Sequence, residues 1–217
     1  MKKKGGAALK SETLGGYTYR WDDGCFPLSA DSLALGEFCT LKSGRRVLDL
    51  GCGAGLLLLL AARREPGTEL FGVEHDPHAA ALARENLREN GLAGTVLTAD
   101  FTQAALPSGF DLVLANPPWY PQGSGGVGGA GRMERCPLPE LCAIAVKALK
   151  SKGRLALCYP PERLVDLLCA LRGAGLEPKR LRFCRHRRDK KPSAVLAEGV
   201  KGGRPGLEVL PDLLYDD

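Results

Sequence analysis

The stretch Val47-Leu-Asp-Leu-Gly-Cys-Gly-Ala-Gly55, followed at once by Leu56-Leu-Leu-Leu-Leu60-Ala-Ala62, decides the fold. A β-favouring apolar segment from Arg46 to Leu50 breaks into a glycine turn and then into strong helix formers, which is a strand–loop–helix unit. Glycines at alternate positions 51, 53 and 55 let the backbone turn tightly and approach a ligand, because no Cβ stands in the way. A helix starting near Ala54 points its unpaired N–H groups at whatever the loop holds.

The spacing G-x-G-x-G differs from the G-x-G-x-x-G of dinucleotide sites, and Asp49 stands two residues before the first glycine. A carboxylate there repels a pyrophosphate and suits a ligand that carries an ammonium and a sulfonium. S-adenosylmethionine is such a ligand. Its amino end matches Asp49, and its carboxylate matches the helix N-terminus above Gly51, Cys52, Gly53 and Gly55. An ordinary βα turn uses the same glycines, so the loop alone leaves that alternative open.

Outward from this unit, strand and helix alternate. Strands are expected at Arg46–Leu50, Glu69–Glu74, Thr95–Thr98, Phe110–Ala115 and Gly153–Tyr159. Helices are expected at Ala54–Arg64, Pro77–Asn90, Leu138–Lys150 and Pro161–Gly173. This is the pattern of an α/β fold, doubly wound, with a mostly parallel seven-stranded sheet. The segments Glu177–Cys184 and Ser193–Val200 lack a helix between them and are expected to pair antiparallel as an edge hairpin.

Residues 1–16 read as a flexible basic arm. Residues 17–44 read as a cover in which Tyr17–Trp21 turns at Asp22-Asp-Gly24 and returns through Cys25-Phe26-Pro27, ahead of a short helix capped by Ser29 or Asp31. Residues 45–214 are the main domain, with no repeat and no second domain.

At 217 residues the chain suffices for one sizeable core, and no apolar run reaches membrane-spanning length. Lys2-Lys-Lys4 is followed by Gly5 to Gly16 with no apolar segment, so a secretory signal is not expected. The eight cysteines contain no C-x-x-C pair and read as scattered reduced thiols of a cytoplasmic protein; no metal site is expected.

Glu74 ends the second strand about twenty residues past the glycine loop, where an acid can accept from both ribose hydroxyls of a nucleoside. His75 follows as a loop residue beside the same ligand, and Asp76 is the expected N-cap of the next helix. Asp100 can accept from an adenine amino group with Phe101 against the ring face, or cap the turn that starts at Thr102.

Asn116-Pro-Pro-Trp119 closes the fourth strand and is the most specific motif. Pro117 and Pro118 remove donors and fix φ, leaving carbonyls turned out of a rigid turn. The Asn116 side-chain oxygen and the Pro117 carbonyl can together accept both hydrogens of a planar –NH2, and Trp119 can stack on the ring that bears it. Methyl transfer to such an amine needs positioning and a way to manage charge on nitrogen, not a strong base.

D-x-G-C-G-x-G, the acid after the second strand, Asp100 and N-P-P-W together resemble class I S-adenosylmethionine-dependent methyltransferases that modify planar exocyclic nitrogens. Phe26-Pro-Leu-Ser-Ala-Asp31-Ser-Leu-Ala-Leu-Gly36, Arg132-Met-Glu134, Lys191-Pro-Ser193 and Lys201-Gly-Gly-Arg204-Pro-Gly-Leu207 are similar to segments of the bacterial valine-tRNA adenine-N6 methyltransferases. The resemblance implies that Phe26 and Asp31 lie over the cofactor and that a tRNA is the partner. Trp119 stands where that motif usually has Tyr or Phe. The Gly-rich stretch 122–131 is unusual and reads either as a substrate-side loop or as an inert insertion.

The net charge of +5 is modest, but the segment 179–191 is dense in Lys and Arg. Arg182, Arg185, Arg187, Arg188, Lys190 and Lys191 read as a phosphate footprint on RNA, joined by Arg132, Lys201 and Arg204. A ribosomal RNA amine or a release-factor glutamine amide is the alternative substrate. A non-catalytic RNA-binding scaffold is the alternative of another class.

Overall fold

The computed structural model describes residues 8–117 and 136–215. Nine strands form one twisted sheet, and a separate two-stranded hairpin lies beside it. In chain order the elements are β1 (Lys10–Leu14), β2 (Tyr17–Trp21), α1 (Ala30–Phe38), β3 (Arg46–Leu50), α2 (Leu56–Arg64), β4 (Glu69–Glu74), α3 (Pro77–Glu89), β5 (Gly94–Thr98) and β6 (Phe110–Ala115). After the segment that is not described come α4 (Leu138–Ala148), β7 (Leu149–Tyr159), a 3-10 turn at Pro161–Arg163, α5 (Leu164–Gly173), β8 (Leu176–Arg185), β9 (Ala194–Lys201), β10 (Glu208–Val209) and β11 (Leu213–Leu214).

The order across the sheet is β10-β8-β9-β7-β6-β3-β4-β5, with β11 also pairing β8. β7, β6, β3, β4 and β5 run parallel, and β9 is inserted antiparallel between β7 and β8. The expected doubly wound sheet with an antiparallel hairpin at one edge is therefore present. Two additional two-residue strands, β10 and β11, extend that edge in parallel with β8.

Side chains alternate between the two faces along each buried strand. Val47, Leu112, Leu114, Ala156 and Cys158 pack with α1, α2 and α3. Leu48, Val113, Ala115, Leu155 and Leu157 pack with α4 and α5 on the other face. α2 is apolar all round, and every residue from Leu56 to Ala62 is buried, as a helix without a polar face must be.

The N-terminal hairpin differs from the sequence expectation. β2 pairs with β1 across Gly15-Gly16, and residues 25–28 form no return strand. The far edge of β2 is satisfied by two carboxamides of α3. Asn90 accepts from Thr18 N (2.7 Å) and donates to Thr18 O (2.8 Å); Asn86 accepts from Arg20 N (3.0 Å) and donates to Arg20 O (2.8 Å). Two residues four apart on a helix rise about 6 Å, close to the spacing of two residues two apart on a strand, so the pair stands in for a neighbouring strand.

Candidate active site

β3 carries Asp49 and Leu50 to its C-terminal end, and the glycine loop begins there. Gly51, Gly53 and Gly55 adopt φ of 76°, 53° and 86°, a left-handed region closed to most side-chain-bearing residues. Gly51 N and Cys52 N both donate to Val73 O at the end of β4, which holds the loop against its neighbour strand. Gly55 is the N-cap of α2, so the helix starts at Leu56, slightly later than expected.

A cavity of about 240 Å³ opens over this loop. It is lined by Asp49 to Ala54, by Glu74, His75 and Asp76 at the end of β4, by Phe101 after β5, and by Asn116 and Pro117 after β6. Tyr19, Phe26, Ser32 and Cys136 also contribute. Ligands of doubly wound folds sit at the C-terminal ends of strands where the chain order reverses, here between β3 and its neighbours β6 and β4. Asn116 and Gly53 share this rim.

Asp49 is 1 % exposed, and neither of its carboxylate oxygens has a hydrogen-bond partner. Burial, and secondarily the charge of Glu74, pushes its carboxyl up to about 8. A buried carboxylate left without partners is costly in the free protein and is met by a cationic or hydrogen-bond-donating ligand. A dianionic phosphate group would face two carboxylates. The donor set thus fits a ligand with an ammonium group and does not fit a dinucleotide.

Glu74 is fixed on both oxygens. Its Oε2 accepts from Gly53 N (2.9 Å), its Oε1 accepts from Asp76 N (2.9 Å), and His75 Nδ1 lies 2.8 Å from Oε1. Asp76 caps α3, accepting from His78 N and Ala79 N. Asn116 Nδ2 donates to Ser32 Oγ (2.8 Å), which leaves Oδ1 as the acceptor end of that amide. Among the described residues one mixed cluster, Asp22, Cys25 and His78, has metal-ligand atoms within 4.8 Å of one another; Asp22 and His78 already pair at 2.7 Å.

Of the residues singled out from sequence, Phe26, Asp49, Gly51, Cys52, Gly53, Glu74, His75, Phe101, Asn116 and Pro117 line the cavity, and Gly55 shapes the loop from outside it. Asp31 does not line it, because its carboxylate accepts from Tyr215 Oη of the C-terminal segment. Asp100 does not line it either. Its Oδ1 accepts from Thr102 N (2.9 Å) and Thr102 Oγ1 (2.8 Å), the turn-capping alternative. Pro118, Trp119, the stretch 122–131, Arg132 and Glu134 lie outside the described residues.

Tyr19 and Ser32 are among the lining residues that were not expected. Tyr19 is buried under the hairpin and stacks on Trp21 at 5.2 Å. Ser32 is buried in the first turn of α1. Neither stands in a motif, and only the pairing of β2 with α3 and the docking of α1 bring them to the cavity.

The basic residues divide. β8 runs parallel to β7, so the turn after it, with exposed Arg187, Arg188, Lys190 and Lys191, projects from the same rim as the cavity. Arg187 and Lys190 share Asp189, and Arg185 is tied to Asp212 and to Lys190 O. Arg182 is half-buried with its Nε unpartnered. Lys201 and Arg204 lie elsewhere. β9 runs the other way, so its end lies at the opposite rim, where Lys201 Nζ donates to Val146 O (2.6 Å) and Leu149 O (2.7 Å) at the end of α4. That ammonium caps a helix C-terminus.

No helix among the described residues is long and apolar enough to cross a membrane. A family model described as methyltransferase small domain matches residues 30–162. The chain is 33 % identical over 174 residues to the tRNA1(Val) (adenine(37)-N6)-methyltransferase of Porphyromonas gingivalis strain W83, covering 75 % of this chain and 68 % of the relative. It is 39 % identical over 102 residues to the enzyme of that name from Actinobacillus succinogenes, covering 44 % of this chain and 43 % of the relative. The chain thus spans less than half the length of some of the relatives it matches. Among solved structures, a predicted O-methyltransferase from Agrobacterium tumefaciens superposes with a TM-score of 0.68 at 23 % identity over 86 % of this chain and 88 % of that one. The Thermus thermophilus 16S rRNA N2 G1207 methyltransferase, in complex with AdoMet and guanosine, gives 0.64 at 24 % identity over 89 % of this chain and 50 % of that one. These likenesses show the class I methyltransferase fold.

Proposed function

The chain belongs to the methyltransferase small domain family, and from that premise we propose that it is an S-adenosylmethionine-dependent N-methyltransferase acting on adenine N6 in a tRNA. The observation that carries the reading is that Asp49 and Asn116, from the neighbouring strands β3 and β6, line one cavity.

When bound, the cofactor supplies an electrophilic methyl group on a sulfonium. The protein's own part is binding and orientation. Asp49 receives the ammonium end, the N-terminus of α2 receives the carboxylate, and Glu74, held by the loop and by Asp76, retains lone pairs for ribose hydroxyls. Asn116 Oδ1 and Pro117 O grip the two hydrogens of the target amine and aim its lone pair, which is the pre-organisation the displacement needs. Once methylated, the amine gives one proton to solvent water, and no buried base is required for the displacement itself.

The base must leave its stack to reach the cavity, at a cost of a few kcal/mol that is smallest in a single-stranded loop. The exposed turn with Arg187, Arg188, Lys190 and Lys191 stands on the same rim and suits the flanking phosphates. The tRNA substrate is supported by the names of the relatives. The eight cysteines are free thiols, which supports a reducing, cytoplasmic setting for this chemistry.

The test incubates the protein with methyl-labelled cofactor and total tRNA and identifies the methylated nucleoside by mass spectrometry. N6-methyladenosine is expected. Asn116→Ala should lower transfer by about a hundredfold or more while calorimetry shows nearly unchanged cofactor affinity. Normal turnover by that variant, or label in guanosine or in protein, would overturn the reading.

A further inference from the structure

The amide of Asn116 is useful to an amine in one of its two orientations. Oδ1 accepts a hydrogen from the substrate amine; a half-turn about χ2 puts Nδ2 in its place and sets donor against donor. The two orientations have nearly the same shape, so packing alone does not choose between them. A hydrogen-bond partner of fixed polarity does.

We propose that Ser32 is the positioning residue that makes this choice, an inference that rests on the amine-clamp role of Asn116. Ser29 is the N-cap of α1, and its Oγ accepts from Ser32 N (3.2 Å). The same Ser29 oxygen lies 3.0 Å from Ser32 Oγ, a pair in which either hydroxyl can donate, and in the arrangement proposed Ser32 is the donor. When its hydrogen goes to Ser29, Ser32 Oγ meets Asn116 as an acceptor. It takes Nδ2–H at 2.8 Å and leaves Oδ1 for the substrate.

Ser32 is 5 % exposed, so water does not readily substitute for either bond. In that arrangement the donor chain runs Asn116 Nδ2 to Ser32 Oγ to Ser29 Oγ, from the strand end that carries Asn116 into the capped turn of a helix. That turn is held from its other side by Tyr215 Oη on Asp31. The position of Ser32 is therefore set by the fold and does not depend on substrate.

The experiment compares Ser32→Ala and Ser32→Thr with the parent protein, using labelled cofactor and total tRNA. Ser32→Ala removes the acceptor and should lower kcat by about tenfold, with KM for tRNA and cofactor affinity unchanged within about twofold. Ser32→Thr keeps the oxygen and should restore most of the rate. If Ser32→Ala does not fold, as judged by circular dichroism, Ser32→Cys retains the volume with a poor acceptor and should show the same fall. Parent-like kcat in Ser32→Ala or Ser32→Cys, or a loss confined to cofactor affinity, overturns the proposal. If Asn116→Ala is itself fully active, the amine-clamp reading falls instead, so the two failures are distinguishable.

Discussion

Two of the buried carboxylates on this sheet, Glu198 and Asp49, differ in everything but burial. Glu198, in the middle of β9, is 0 % exposed and fully partnered: Oε2 accepts from Thr40 N (2.7 Å), and Oε1 accepts from Thr40 Oγ1 (2.9 Å) and Arg154 Nη1 (2.6 Å). Asp49, at the end of β3, is 1 % exposed and has no partner on either oxygen. The first carboxylate joins the loop after α1 to two strands. The second is the group that the proposed function gives to a ligand. Between these two, saturation of hydrogen bonds, more than burial or charge, marks the one that holds the fold.

Removing Glu198 is the strongest way to sharpen this contrast. Glu198→Ala leaves Arg154 and the Thr40 N–H without their acceptor and should destabilise the protein by roughly 3 kcal/mol. Urea unfolding measures it as a lower midpoint with an unchanged slope. Cofactor affinity of the folded fraction should stay near the parent value. A variant with parent stability would show that saturation does not mark structural load.

Asp49 should behave in the opposite sense. Its carboxyl stands at about 8 in the folded protein against 3.8 for an ordinary aspartate. The folded state therefore holds this proton more tightly than the unfolded chain. The contribution is favourable at low pH and is lost as pH rises through the interval from about 4 to about 8. Binding of a cationic cofactor requires the deprotonated form, so affinity should increase as pH is raised from 6 toward 8, by at most about tenfold per unit, and then level off. Calorimetry in buffers of different ionisation heat should detect proton release on binding below pH 8. Asp49→Asn should flatten both dependences and weaken cofactor binding by about tenfold or more while leaving stability intact. A pH-independent affinity in the parent would break the contrast.

Much of this architecture is legible in the chain because the responsible interactions are local. The bounds Arg46–Leu50, Glu69–Glu74 and Phe110–Ala115 follow from apolar runs buried on both faces and cut by glycine, histidine or proline. Asp49, Glu74 and Asn116 are placed by those same strand ends. Lys10–Leu14 was not readable, since K-S-E-T-L has no apolar alternation and its partner strand is fastened by Asn86 and Asn90, far along the chain. Lys201 misled because composition carries no strand direction: the reversal of β9 sends it to the rim away from the cavity. Ser32 is invisible for a related reason, as its meaning lies in Asn116, which lies 84 residues away.

A smaller test uses the two kinds of asparagine. In the proposed function Asn116 keeps one end of its amide for substrate, whereas Asn90 spends both ends on Thr18 and a third bond on Asn86 O (2.7 Å). By the saturation argument Asn90 is structural, and it is only partly buried, so water can replace some of what it provides. Asn90→Ala should cost about 1 kcal/mol. The loss should be local, because β2 keeps its pairing with β1 and its second carboxamide, Asn86. Hydrogen exchange at the Thr18 amide should accelerate by several-fold while amides in β3 and β6 keep their protection. Tyr19 lies between the two clamped residues and lines the cavity, so the variant also asks whether the hairpin's grip is felt there. Unchanged cofactor affinity is expected while Asn86 holds Arg20. A fall in affinity as large as that of Asp49→Asn would mean that a saturated amide can still serve the ligand, and the division drawn between the two classes of buried polar group would fail.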